Sequence, residues 1–280
     1  MHSSSLCLLH STKKHDPDLS YIEAASRAIA AKIKKGDLVV LESTSPVGAT
    51  EFVCQIIASE RPDLKLPHEH ANGADIAVAH CPERVLPGQI MRELINNDRI
   101  IGGITPDCAR AGADLYKVFT EGACIETDAR TAELCKLAEN SFRDVNIAFA
   151  NEMSLICDQL NINVWKLAEL VNRHPRVNML QPGAGVGGHC IAVDPWFIVS
   201  SAPDNSRLIR AAREINDQKP EYVLSKVDAC VAELRESGLV SPKIACLGIT
   251  FKPDVDDLRE SPALKIATEL ASRYPGAVVA

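Results

Sequence analysis

The chain is 280 residues long, 46% hydrophobic and 24% charged, enough for one large or two ordinary domains with a substantial core. A net charge of -7 and a pI near 5.6 argue against a nucleic-acid backbone or an anionic membrane surface as the main partner, leaving room only for local basic pockets. Ten cysteines are scattered without C-x-x-C pairs, no stretch is apolar for long enough to span a bilayer, and no basic start of a signal peptide is present, so a soluble cytoplasmic protein with reduced thiols is expected.

The first twenty residues look irregular, with Asp16-Pro17-Asp18 as a turn before a helix over about Tyr21–Lys34 that Gly36 can end. Asp37–Glu42 reads as a buried strand. A helix follows Pro46, then a strand at Asp75–Ala79, a short helix near Gln89–Ile95, a strand at Arg99–Ile101, a helix over Asp107–Phe119 and a strand at Ala123–Glu126. This alternation predicts a mostly parallel sheet with crossover helices. From Ala129 to about Leu160 there is neither proline nor glycine, and Leu134, Ala138, Phe142, Val145 and Phe149 share one stripe, which predicts a long helix. Val164–Asn172 is helical, and after a glycine-rich stretch come helices within about Ser206–Asp217 and Pro220–Ser237. Beyond Ser241-Pro242, a strand at Lys243–Ile249 and a helix at Pro262–Arg273 open a new α/β unit.

The glycine-rich stretch runs Gly183-Ala184-Gly185-Val186-Gly187-Gly188-His189-Cys190-Ile191-Ala192-Val193-Asp194-Pro195. Glycines let another molecule approach the backbone, and a thiol presented there becomes a nucleophile if nearby cations or amides favour its thiolate. A tight turn beside a buried cysteine is the competing account. On the long helix, Lys136 and Asn140 lie one turn apart on a face roughly opposite the apolar stripe, where they could stabilise an oxyanion or form a solvated polar face. Arg143 and Asn151 extend that face. Glu42–Thr50 leaves a strand through small hydroxyl residues and enters a helix where free N–H groups and a Thr hydroxyl could meet an anion or a hydroxyl-bearing ligand, unless Thr44 or Ser45 caps it. Cys81–Gly88 also follows a strand, so Glu83 and Arg84 either face a ligand crevice or form a surface turn. His68, His70, His80 and Cys81 match no closed zinc spacing. Phe251–Pro262 carries Lys252 and Arg259, which could bind phosphate or be neutralised by four neighbouring acids.

Taken in order, these segments resemble the UDP-glucose/GDP-mannose dehydrogenase family from about Asp16 to the last residues. The strings that carry the likeness are Glu42–Gly48, Cys81–Gly88, Glu139–Glu152, Asn172–Asn178, Gly187–Pro195 and Lys252–Pro262. The resemblance implies an α/β fold class: a partial Rossmann-like parallel sheet, a central helical dimerisation region and the start of a second α/β domain. In those terms residues 1–126 are a partial NAD-binding domain, 127–237 a helical domain with the catalytic cysteine, and 238–280 the start of a UDP-sugar-binding domain. It implies oxidation of the C6 alcohol of a UDP-sugar to a carboxylate with two NAD, through a thiohemiacetal and a thioester on Cys190, in surface polysaccharide synthesis.

The same likeness makes Lys136 and Asn140 oxyanion stabilisers and Asp194 the group that handles water's proton. NAD contacts fall to Thr44, Glu83 and Arg259, and UDP-sugar contacts to Glu83, Arg84, Lys136, Asn140, Arg176, Gly187 and Lys252. Arg176 or His174 would reach substrate across a homodimer interface, and no metal is implied. Pro87 stands where some relatives carry a further glutamate, so a base role there is not carried over. No G-x-G-x-x-G loop precedes Asp16, and the last α/β unit stops after little more than a strand and a helix. The chain therefore reads as the middle of an enzyme, poorly soluble at its uncovered sheet edges. Two alternatives stand beside that reading: an inactive remnant that at most dimerises through its long helix, and a related UDP-glucose or UDP-N-acetylglucosamine 6-dehydrogenase.

Overall fold

Short apolar runs bounded by turn residues become strands, and the amphipathic segments between them helices, in a computed structural model that describes residues 16–85 and 89–280. The irregular start expected for the first fifteen residues, and the Leu86-Pro87-Gly88 end of one motif, lie outside the described residues. The chain divides into two units, the first running to Glu139 and taking in Ser200–Ala202, the second made of Asn140–Val199 and Pro203–Ala280.

The first unit contains α1 (Ser20–Ala30), β1 (Leu38–Leu41), α2 (Ala49–Glu60), β2 (Ala77–His80), α3 (Ile90–Asn96), β3 (Arg99–Gly103), α4 (Pro106–Tyr116) and β4 (Cys124–Asp128). Its four strands lie in chain order. β1 and β2 are parallel, with Leu41 beside His80, and so are β3 and β4. The β2–β3 ladder is antiparallel. The reason lies in α3, which buries none of its residues and so returns the chain without covering the sheet as a crossover helix does. Val78 and Ala79, successive on β2, point to opposite faces and enter different cores. One core gathers Ile22, Val53, Ile57 and Leu66 from α1, α2 and the loop after it; the other gathers Ile101, Ala113 and Tyr116 under α4. α4 starts where the side chain of Thr105 accepts from the Cys108 amide and Pro106 needs no partner for a missing N–H.

The long helix is α5 (Ala129–Gln159), begun at Asp128, whose carboxylate accepts from the Thr131 amide and hydroxyl. The second unit continues with α6 (Val164–Val171), α7 (Asp194–Ser201), α8 (Arg207–Glu236), β5 (Ile244–Ala245), α9 (Pro262–Arg273) and β6 (Val278–Val279). β5 and β6 form a parallel pair, and α8 packs on α9 through Leu224, Ile266 and Leu270. Three features differ from expectation. The two helices expected on either side of Asp217 are one, α8, with Pro220 inside it, because a proline removes a single internal bond and α8 is long enough to carry the loss. β5 is two residues rather than seven, since β6 offers it only two partners. α7 appears where none was expected: its run Trp196-Phe197-Ile198-Val199 has no helical period, and three of the four are buried.

The faces of α5 also differ from the amphipathic expectation. Leu134, Phe142 and Phe149 of the apolar stripe are 45%, 72% and 54% exposed, while Glu133, Asn140, Asp144 and Asn151 are buried. Helical period alone locates a stripe; it does not say which stripe faces inward.

Candidate functional site

In the first unit the carboxyl ends of β1 and β2 leave the sheet side by side, the Glu83 amide reaching the Glu42 carbonyl. Glu83 uses one carboxylate oxygen to accept from the Arg84 and Val85 amides at 2.8 and 3.1 Å, which folds the turn back on itself. Its other oxygen lies 3.7 Å from Arg99 Nη1. Arg84, half-buried, pairs with Glu139 at 2.8 Å, so its charge is already balanced. Arg99 was not singled out in the sequence; it is 5% exposed, stacks over the Tyr116 ring at 4.8 Å and brings a cation against Glu83. Burial raises the pKa of the Tyr116 phenol, which donates to Glu42, and pushes the Cys81 thiol up to about 11. Cys81 is therefore a neutral neighbour of Arg99 rather than a reactive thiol.

Thr44 is half-buried in the loop between β1 and α2. The start of α2 is not open to an anion, contrary to expectation. Glu133 reaches it from α5, accepting from the Gly48 amide at 2.6 Å, the Thr50 amide at 2.7 Å and the Thr50 hydroxyl at 2.6 Å. An internal carboxylate thus fills the place that a helix N-terminus offers to phosphate. Neither Thr44 nor Ser45 caps α2; Ser45 donates to the Ser43 carbonyl instead. Glu133 carried no signal in the sequence beyond being one charge among many on a long helix.

In the second unit, Cys190 sits in the turn that leads into α7, its carbonyl accepting from the amides of Val193 and Asp194 at 3.0 and 2.8 Å. Asp194, 4% exposed, accepts from Asn140 Nδ2 at 2.5 Å, so two of the expected catalytic residues are in direct contact and one turn from the cysteine. Lys136 is half-buried one turn earlier on α5. The glycine stretch is backed by residues 251–262. The Gly188 amide donates to the Arg259 carbonyl at 2.9 Å, and a Cβ at Gly187 would come within 2.6 Å of the Glu260 carbonyl oxygen and of Phe251. Only glycine fits there. Arg259 grips Asp257 through Nε and Nη2 at 3.0 and 2.7 Å, which holds that carboxyl down to about 2. It also lies close enough to Cys190 for the two groups to interact electrostatically.

Lys252 is exposed on the same loop, and Arg176 is exposed on a separate one. Asn172 closes that second loop by accepting from the Met179 amide at 2.7 Å and donating to its carbonyl at 2.9 Å. Cys190, Asn140, Asp194, Gly187 and Arg259 thus assemble within one unit, and Thr44, Glu83 and Arg84 follow the carboxyl ends of β1 and β2 in the other. No disulfide joins the described cysteines, and among the described residues no cluster of three His, Cys, Asp or Glu side chains could hold a metal. Nor is any helix of the described residues long and apolar enough to cross a membrane.

Residues 10–120 match the NAD binding domain of the UDP-glucose/GDP-mannose dehydrogenase family, residues 130–218 its central domain and residues 245–280 its UDP binding domain. The chain belongs to this family. It is 62% identical over 263 residues to an NDP-N-acetyl-D-galactosaminuronic acid dehydrogenase of Ralstonia nicotianae, covering 94% of this chain and 61% of that protein. It is 60% identical over 268 residues to the UDP-N-acetyl-D-mannosamine dehydrogenase of Escherichia coli K12, covering 94% and 63%. The solved UDP-D-ManNAc dehydrogenase of Pyrococcus horikoshii superposes with a TM-score of 0.84 at 42% identity, over 95% of this chain and 61% of that one. The chain thus spans a little over three fifths of the curated relatives it matches.

Proposed function

We propose that the protein oxidises the C6 alcohol of UDP-N-acetyl-D-mannosamine to the carboxylate of the mannosaminuronate, in the cytoplasm and toward surface polysaccharide. The observation that supports this best is the meeting of Cys190 with the Asn140–Asp194 pair and the Arg259 cation, in a chain matched to NAD-binding and UDP-binding domains. NAD, when bound, accepts the hydride released at each of the two oxidations. The carboxyl ends of β1 and β2, with Thr44 and Glu83, fit its binding, as open α/β sheets take ligands there; the α2 N-terminus does not, being filled by Glu133. The division into an NAD-binding part to residue 126, a helical centre to 237 and the start of a UDP-sugar domain from 238 belongs to the same reading.

The chain's own groups have the following tasks. The Cys190 thiolate, favoured by Arg259, adds to the carbonyl carbon of the C6 aldehyde, forming a C–S bond while the oxygen takes up a proton as the thiohemiacetal. Lys136 and Asn140 stabilise negative charge on that oxygen. After the second oxidation has made a thioester, water attacks it, Asp194 takes the water's proton, and the C–S bond breaks to return the thiolate. Glu83, Arg84, Arg176, Gly187 and Lys252 serve the UDP-sugar, Arg176 from a second copy of the chain. That second copy covers the outward aromatic face of α5, where Phe142 and Phe149 stand exposed, since a two-fold helix pair lets one face bury itself.

The test is NADH formation with UDP-N-acetyl-D-mannosamine. Two NADH per sugar are expected from the wild type and no carboxylate from Cys190→Ala; carboxylate formed at equal rates without the thiol would overturn the mechanism. A second reading, a galacto-configured N-acetylhexosamine as substrate, is favoured by the name of the Ralstonia relative. Equal concentrations of the two UDP-sugars, with UDP-glucose and UDP-N-acetylglucosamine as further arms, decide between them by kcat/KM.

A further inference from the structure

We infer that a buried hydrogen-bond relay, Asn151–Asn216–Asp144–Arg213, positions Cys190 by holding the glycine stretch at both ends. The relay begins at the Gly183 amide, which donates to Asn151 Oδ1 at 2.8 Å. Asn151 Nδ2 donates to Asn216 Oδ1 at 2.8 Å, and Asn216 Nδ2 donates to Asp144 Oδ1 at 2.8 Å. Arg213 Nη1 meets the same Asp144 oxygen at 2.7 Å and extends to the carbonyl of Ile191, the residue after the cysteine, at 3.4 Å. Its Nη2 is anchored on Asp217.

The direction of every link is fixed by the one before it. The Gly183 N–H requires an oxygen from Asn151, which turns the Asn151 NH2 toward the Asn216 oxygen and so leaves the Asn216 NH2 facing acceptors, here the Asp144 carboxylate and its backbone carbonyl. A chain of donors ordered in this way has one arrangement and resists the small displacements that a solvated loop would allow. Asn151 and Asp144 are 0% exposed, and Asn216 and Arg213 are 1% exposed, so bulk solvent does not reach these groups. Stability alone does not explain such a core, because a buried ion pair replaced as a whole by apolar side chains commonly leaves a protein as stable as before. What apolar side chains cannot do is grip the Gly183 amide and the Ile191 carbonyl. Residues 251–262 hold the outer side of the same stretch through Gly188 and Gly187, so the cysteine is set from two sides. Misplacement of a reacting atom by about 1 Å costs on the order of a hundredfold in rate.

The relay rests on the reading of Cys190 as nucleophile, and its test separates the two. The rate of alkylation by iodoacetamide is followed against pH at Cys190 and at the exposed Cys230, peptide by peptide, in the wild type and two variants. The groups placed around the Cys190 loop are Arg259, Asp257, His189 and Asp194, so the pH midpoint reports where the thiol stands among them. In Asp144→Leu/Arg213→Met both charges leave together; in Asn151→Ala a single neutral link is cut, which serves if the double variant does not fold. Both are expected to raise the Cys190 midpoint by about one pH unit and slow its alkylation at neutral pH about tenfold, with Cys230 unchanged. A folded variant with an unmoved Cys190 midpoint overturns the relay. A wild-type Cys190 no more reactive than Cys230 overturns the nucleophile and the relay with it.

Discussion

Two interiors of the molecule, the core under α2 and the layer between α5 and α8, are made differently. Under α2 and β2 the first unit buries Ile57, Leu66 and Val78, side chains with no directional demand; between α5 and α8 the second buries Asp144, Arg213, Asn151 and Asn216, each of which needs a named partner. The apolar core tolerates a change of shape at a graded cost, whereas the polar one answers in steps, since removing one member strands the next. A scaffold can be built the first way. A loop that must present one thiol gains more from the second.

The sharpest way to break this contrast is Asp144→Ala, which leaves Arg213 charged and buried with only part of its hydrogen bonding; a loss of about 3–5 kcal/mol is expected in urea unfolding. A loss under 1 kcal/mol would show the second interior to be as forgiving as the first.

Next in size is the effect of a buried imidazole at the end of β2. His80 is 0% exposed, and burial holds its imidazole down to about 4 from the ordinary 6.5. The unfolded chain therefore binds the proton first as pH falls, so stability is full above pH 6.5, drops between 6.5 and 4, and is flat below. The total is about 3 kcal/mol, and His80→Leu should abolish that slope in urea midpoints measured across pH. An unchanged slope would assign it to other groups.

Smaller again, Ile57→Val should cost about 1 kcal/mol, the graded response of an apolar core. Smallest for folding of the single chain is Phe142→Glu on the outward face of α5, within about 0.5 kcal/mol of wild type when both are unfolded at a dilution where each is a monomer. Sedimentation should nonetheless show the paired chain falling to a monomer. A wild type that sediments as a monomer would remove the second copy from that face.

The β-α alternation was legible because each run there obeys its own period and ends in Gly, Pro or a capping residue; Ser261-Pro262 marks the start of α9, where Ser261 does accept from the Leu264 amide. Cys190, Asn140 and Asp194 stand in the motifs singled out in the sequence, but the Asn140–Asp194 contact joins positions 54 apart that no spacing rule would pair. The relay was harder to see. Asn140, Asp144 and Asn151 recur at intervals of four and seven along α5, a periodic polar stripe, but the eye reads polar stripes as solvated. What turns that stripe inward is the matching pair Arg213 and Asn216 on α8, and such complementarity between distant helices is invisible until both are placed. Glu133 escaped for the same reason, its partners being two backbone amides and a hydroxyl more than eighty positions away.

Pro220 invites a designer's first substitution, since proline inside a helix costs about 3 kcal/mol relative to alanine. Having no N–H, it cannot take up the Asn216 carbonyl, and Gly185 rests against that oxygen and the proline ring: a Cβ at Gly185 would lie 3.2 Å from the one and 3.4 Å from the other. Alanine at 220 would supply the N–H, draw the carbonyl back into α8 and reshape the surface on which the glycine stretch is seated. Heat tolerance and the seating of that loop are therefore traded against each other at a single position, and a thermostabilised sequence that keeps this proline has kept the loop in register.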